Sequence, residues 1–181
     1  HCVFAGTLPA TLEGALPTRI CLADLTSGEV EVLTFGPNTD RLPKFSPEAE
    51  RVAFLSDRHA AGDFQLYMLD PEKRITRPAP RIAEGWVEYL HWSPDGNRVL
   101  LGVAGFGADR AGAEGAVASD RNAEELPAWM PDVDRGAATH QWRSLWICEL
   151  SSDSVRRLPV SPRINVWGAA WCGEHCVAAV V

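Results

Sequence analysis

One hairpin pattern recurs along this chain and limits its fold more than any other feature. Tyr89-Leu90-His91-Trp92-Ser93-Pro94-Asp95-Gly96-Asn97-Arg98-Val99-Leu100 reads as a strand ending on an aromatic residue, a Ser-Pro-Asp-Gly turn, and a second strand. Proline presets φ at one corner and glycine tolerates positive φ at another, so the chain reverses for a local reason. The same pattern stands 47 residues earlier, from Leu42 through Phe45-Ser46-Pro47 to Arg51-Val52-Ala53-Phe54. A worn copy runs from Ala169-Ala170-Trp171 through Cys172-Gly173-Glu174-His175-Cys176 to Val177. A recurring hairpin is a repeat unit, and repeats decide the architecture.

Aligning the hairpins predicts a third strand in each unit: Thr18 to Leu25, Gln65 to Asp70 and Ser144 to Leu150. Ile20, Leu66 and Leu145 share one register position and Leu22, Met68 and Ile147 the next on the same face, as a period of two requires. Each third strand ends in an acidic residue, Asp24, Asp70 or Glu149, before a turn where such a side chain bonds the neighbouring backbone. A short fourth strand follows at Val30 to Thr34, Arg77 to Ile82 and Val155 to Val160. Four antiparallel strands per unit of about 45 residues is the layout of a β-propeller blade.

The fold class expected is therefore all-β. It is a partial β-propeller, with about three blades of four-stranded antiparallel sheet and part of a fourth. Blade units fall roughly at 1–41, 42–86, 87–166 and 167–181. His1-Cys2-Val3 matches the second-strand triplet His175-Cys176-Val177, so the chain is expected to open and close inside a blade, with thirteen strands distributed three, four, four and two. The N-terminus has no initiator Met and no signal-peptide character, so more polypeptide is expected to precede it.

One unit breaks the spacing, because Trp92 and Trp171 lie 79 residues apart. The excess is an insertion at about 105–142. A short helix is expected at Ala118 to Leu126, and Trp129 and Met130 stand as apolar anchors between prolines. Long loops of this kind are commonly functional. Two roles are open for it, a cover over the propeller or a neighbouring domain, and a substrate contact.

The chemistry is sparse. There is no G-x-S-x-G, no glycine-rich phosphate loop and no H-E-x-x-H, so no catalytic or cofactor-binding residue is assigned. Cys172, His175 and Cys176 are the one soft-ligand cluster. A structural zinc site needs a second pair, which is missing, so no metal is assigned and a shortened turn is expected. Lys44, Arg51, Arg58 and Arg98 read as solvated rims, while His59 and His140 fall in loops. Trp92, Trp171 and Trp146 sit at repeat positions that pack blade on blade. A net charge of −7 argues against nucleic-acid binding. No apolar run approaches a membrane span, and four of the five cysteines, Cys2, Cys21, Cys148 and Cys176, fall within strand-like runs, which favours a reducing, cytoplasmic setting.

Phe45-Ser46-Pro47, Ser56-Asp57-Arg58, Leu66-Tyr67-Met68-Leu69-Asp70 and Trp92-Ser93-Pro94-Asp95-Gly96 together resemble the TolB-type, WD40-like propeller repeat. Asp134-Arg135-Gly136 and Arg143-Ser144-Leu145-Trp146-Ile147 narrow the resemblance to the N-terminal propeller of the prolyl oligopeptidase family of serine peptidases, in its acylaminoacyl peptidase and dipeptidyl aminopeptidase branch. That resemblance implies a C-terminal α/β-hydrolase domain as partner, carrying the catalytic residues, and peptide substrates whose entry the propeller restricts. The alternative is a TolB-like scaffold for protein partners without catalysis.

Overall fold

The computed structural model describes residues 1–7, 17–106, 108, 110–112, 115–117, 142–160 and 164–181. The helix expected at Ala118 to Leu126, the anchors Trp129 and Met130, the Asp134-Arg135-Gly136 segment and His140 lie outside the described residues.

The described chain folds as antiparallel sheets that follow one another in sequence. β1 (Cys2–Gly6), β2 (Arg19–Ala23) and β3 (Val30–Val32) form the first. β4 (Asp40–Phe45), β5 (Val52–Ser56), β6 (Gln65–Asp70) and β7 (Ile75–Pro78) form the second. β8 (Gly85–Trp92) and β9 (Arg98–Gly105) are completed by β12 (Ser144–Glu149) and β13 (Ser154–Arg157) to make the third. β14 (Gly168–Trp171) and β15 (Val177–Val180) make the last. The tally of three, four, four and two strands follows the repeat. Two more strands, β10 (Arg110–Gly112) and β11 (Gly115–Val117), pair with each other inside the insertion, where no strand was expected. The fourth strands end earlier than their apolar content suggests, since Pro78, Pro80 and Pro159 cannot donate to a ladder.

Strand alternation builds the core as layers between sheets. On β5, Val52 and Phe54 face the first sheet with Ile20 and Leu33, while Ala53 and Leu55 face the third with Val99, Leu101 and Trp146. On the third sheet Leu100, Leu145 and Ile147 turn toward Trp171 and Val177 of the last. Ile20, Leu66 and Leu145 therefore occupy one register position, each facing the sheet that follows, as expected from the sequence.

The same sidedness corrects the match of His1-Cys2-Val3 with His175-Cys176-Val177. Val3 pairs with Leu22 and faces the following sheet, whereas Val177 pairs with Trp171 and faces the preceding one. β1 is a second strand, yet its register is offset by one residue from the triplet identity. A one-residue slip moves every side chain to the other face.

The turns carry the hydrogen bonds their sequences require. In Ser93-Pro94-Asp95-Gly96, Gly96 N–H donates to Ser93 O at 3.0 Å and Arg98 N–H to Ser93 Oγ at 2.9 Å. Gly96 has φ +68°. Ser46-Pro47-Glu48-Ala49 repeats the geometry with alanine at the left-handed position, φ 59°. Asp24 Oδ1 accepts from Thr26 N–H at 2.7 Å and Asp70 Oδ1 from Lys73 N–H at 2.9 Å, the turn role expected of them. Glu149 instead faces Arg156 at 3.5 Å.

Candidate functional site

The insertion leaves the third sheet at the end of β9 and returns at the start of β12, and a cleft of about 740 Å³ opens between these two roots. Its apolar wall includes Phe106, Trp142, Leu158, Ile164 and Val166. Arg143 and the exposed pair Arg157–Glu84, 3.2 Å apart, supply its charge.

Arg143 is fixed from several sides. Its Nε donates to Glu88 Oε2 at 2.7 Å and its second nitrogen to Glu88 Oε1 at 3.0 Å, a bidentate pair almost fully buried. The guanidinium lies 4.4 Å from the Trp167 ring centroid, and Arg143 N–H donates to Asn165 Oδ1 at 2.7 Å. Glu88 reaches Arg143 because β8 breaks register between Val87 and Tyr89, an irregularity that re-aims a side chain. β4 also breaks register, close to the corresponding place, between Arg41 and Lys44, where Pro43 has no N–H to give. Burial, with the Glu88 charge adding to it, pushes the neighbouring Tyr89 hydroxyl up to about 12.

This arrangement suits binding. Ser144, at the rim of the cleft, has its Oγ taken as acceptor by Trp146 Nε1 at 3.0 Å. Among the described residues no histidine lines the cleft.

The residues singled out from sequence are dispersed. Cys172, His175 and Cys176 are exposed on the β14–β15 turn, and among the described residues no group of three or more His, Cys, Asp and Glu could hold a metal ion. His59 is exposed in a loop of the second sheet.

The cations read as solvated rims need correction. Arg51 lies 5.3 Å from the Trp92 ring centroid and donates to Gly96 O at 2.9 Å. Arg98 repeats this one sheet on, 4.9 Å from Trp171 and 2.7 Å from Glu174 O. Arg58 pairs at 2.7 Å with Asp40, whose side chain is 0% exposed. Lys44 packs half-buried against His91 of the next sheet, Nζ to Nδ1 3.1 Å. Each hairpin tryptophan also donates backward, Trp92 Nε1 to Lys44 O at 2.9 Å and Trp171 Nε1 to His91 O at 3.1 Å. The signal for these contacts was the repeat offset itself. Residues at the same repeat position sit at the same height on adjacent sheets, as Lys44 and His91 do 47 residues apart.

No family model matches the chain, and no curated protein does. Among solved structures the fold is similar to TolB from Acinetobacter baumannii, with a TM-score of 0.55 at 14% identity over 92% of this chain and 32% of that one. It is also similar to the Pyrococcus horikoshii acylaminoacyl peptidase, with a TM-score of 0.52 at 15% identity over 94% of this chain and 24% of that one. An acylaminoacyl peptidase bound to Z-Gly-Gly-Phe-chloromethyl ketone gives 0.50 at 14% identity. The chain thus spans about a third or less of the length of these structures. The fold is an open section of a TolB-like β-propeller. Among the described residues no helix is long and apolar enough to cross a membrane, which does not bear on strands.

Proposed function

We propose that this chain is the propeller portion of a cytoplasmic serine exopeptidase or oligopeptidase, seated over an α/β-hydrolase domain of the same parent polypeptide. It restricts entry to short peptides and carries no catalytic residue itself. The observation that carries this reading is the excursion between β9 and β12, whose roots flank an apolar cleft bearing the fixed Arg143. Such a cleft offers apolar contact for peptide side chains. Five free cysteines, two of them buried, support a reducing setting. The likeness to peptidase propellers is one of fold.

The test is the parent polypeptide. A downstream G-x-S-x-G on a strand-to-helix turn, with Asp and His following, is expected. In that enzyme, replacing 107–141 by a short linker should raise hydrolysis of long peptides relative to dipeptide substrates. A parent without such a domain, or an unchanged length preference, overturns the reading.

The second reading is a TolB-like scaffold for a protein partner, since the likeness of fold extends to TolB as well as to the peptidases. A partner that binds through the Phe106–Trp142 cleft in a parent lacking a hydrolase would establish it.

A further inference from the structure

We propose that Lys44 is a reactive amine that captures small aldehydes as an imine, with His91 as the proton acceptor. This goes beyond the reading above and does not depend on it. The chain has only two lysines, and their surroundings are opposite. Lys73 is exposed and ion-paired with Asp70 at 2.7 Å. Lys44 lies on β4 and reaches across to β8, where its Nζ stands 3.1 Å from His91 Nδ1. No described carboxylate lies within ion-pairing distance of Lys44.

The geometry is pinned at both ends. Trp92 Nε1 holds the Lys44 carbonyl and Trp171 Nε1 holds the His91 carbonyl, so neither residue can drift along its strand. An ammonium can only donate, so Nδ1 accepts and the imidazole proton resides on Nε2. Burial holds the Lys44 amine below the ordinary lysine range, while the hydrogen bond and charge of Asp70 hold Lys73 above it. Burial and the Lys44 charge keep His91 below its usual value, neutral and able to take a proton. A desolvated amine beside a base is the arrangement that makes lysine nucleophilic.

The chemistry balances without a further reactant. The Nζ lone pair attacks the aldehyde carbon, forming a C–N bond while the carbonyl π electrons move to oxygen. His91 Nδ1 takes a proton from nitrogen. The imidazolium passes it to the alkoxide, giving the carbinolamine; His91 then takes the second N–H proton and gives it to the hydroxyl, the C–O bond breaks, water leaves with both protons, and the C=N bond forms. No electron is gained or lost.

The test is competition between the two lysines. The whole chain is treated at pH 7 with limiting propionaldehyde and cyanoborohydride, which supplies hydride to trap the imine as a secondary amine, and the sites are quantified by peptide mass mapping. At a pH below both pKa values the amine held lower has the larger free-amine fraction, so labelling of Lys44 is expected to exceed that of Lys73. The ratio should fall to near one in 8 M urea. His91→Asn, with its fold checked by Trp fluorescence, should slow Lys44 and leave Lys73 unchanged. Three results overturn the proposal: equal labelling in the native chain, a preference that persists in urea, or a Lys44 rate indifferent to His91→Asn. The native competition needs no variant, so it decides the matter even where His91→Asn does not fold.

Discussion

Replacing Arg58 by Met should destabilise the protein more than replacing its partner Asp40 by Asn. The asymmetry follows from burial. The Asp40 side chain is 0% exposed and accepts from Arg58 at 2.7 Å and from Asn38 Nδ2 at 2.8 Å, whereas Arg58 is 24% exposed. Arg58→Met strands a carboxylate in the interior with one neutral donor, a loss of about 3–5 kcal/mol by analogy with other broken buried pairs. Methionine keeps the aliphatic packing between Phe54 and Tyr67, whose rings lie 5.8 Å from the guanidinium. Asp40→Asn leaves a cation that can turn to water and an amide that still bonds, a loss of about 1–2 kcal/mol. In a chain of this size about 1 kcal/mol moves Tm by about 2–4 °C, so falls of about 6–20 °C and about 2–8 °C are expected. Urea unfolding followed by Trp fluorescence measures both, with an unchanged m-value as the check on the unfolded state. Equal losses, or a larger one for Asp40→Asn, would refute the assignment of the buried charge.

Other expectations follow from the same geometry. A Cβ on Gly102 would lie 2.1 Å from the Tyr89 ring, so Gly102→Ala should lose about 1–3 kcal/mol and recover partly with Tyr89→Leu. Gly85→Ala should have no such rescue, since its Cβ would meet the Ala104 backbone oxygen at 2.0 Å. Ala49→Gly should stabilise by about 0.5–1 kcal/mol in the same unfolding assay, because alanine stands at the left-handed position that Gly96 fills in the next turn. The Ser93 hydroxyl and Asn97 N–H hold Asp95 down to about 2. Its contribution is complete above the unfolded carboxyl value and fades as pH falls through about 2, so Asp95→Asn should flatten the stability-against-pH curve between about pH 4 and 2. Finally, Cys2, Cys172 and Cys176 should react with a chromogenic disulfide at once. Cys21 and Cys148, raised by burial, Cys148 to about 11, should react only on unfolding.

What the sequence made legible was whatever a single repeat unit determines locally. The turns at Ser46 and Ser93 and the facing of Ile20, Leu66 and Leu145 follow from turn chemistry and a period of two. His1-Cys2-Val3 misleads because its letters equal those of His175-Cys176-Val177 while Val3 and Val177 serve opposite faces of their sheets. Arg51 and Arg98 looked solvated because a lone hairpin leaves them so, and stacking the next sheet brings a tryptophan over each. Glu88 and Arg143, which order the cleft, lie 55 residues apart across the insertion and belong to no motif. The strands β10 and β11 are glycine- and alanine-rich and carry no periodicity to read.

The tryptophan clasps have a direction, and that direction has a consequence in time. In both, the donor comes from the later sheet and the acceptor from the earlier one, 48 and 80 residues upstream. During synthesis at about 5–20 residues per second, the second sheet can pair its own strands well before Trp92 emerges to fasten Lys44. The third waits no longer once complete, since Trp171 follows the end of β13 by as many residues as Trp92 follows the end of β7; the insertion instead delays β12 and β13, which complete the sheet itself. The order of emergence therefore leaves the newest sheet unlatched until its successor exists, and the insertion keeps the β8–β9 hairpin without β12 for as long as it takes to make.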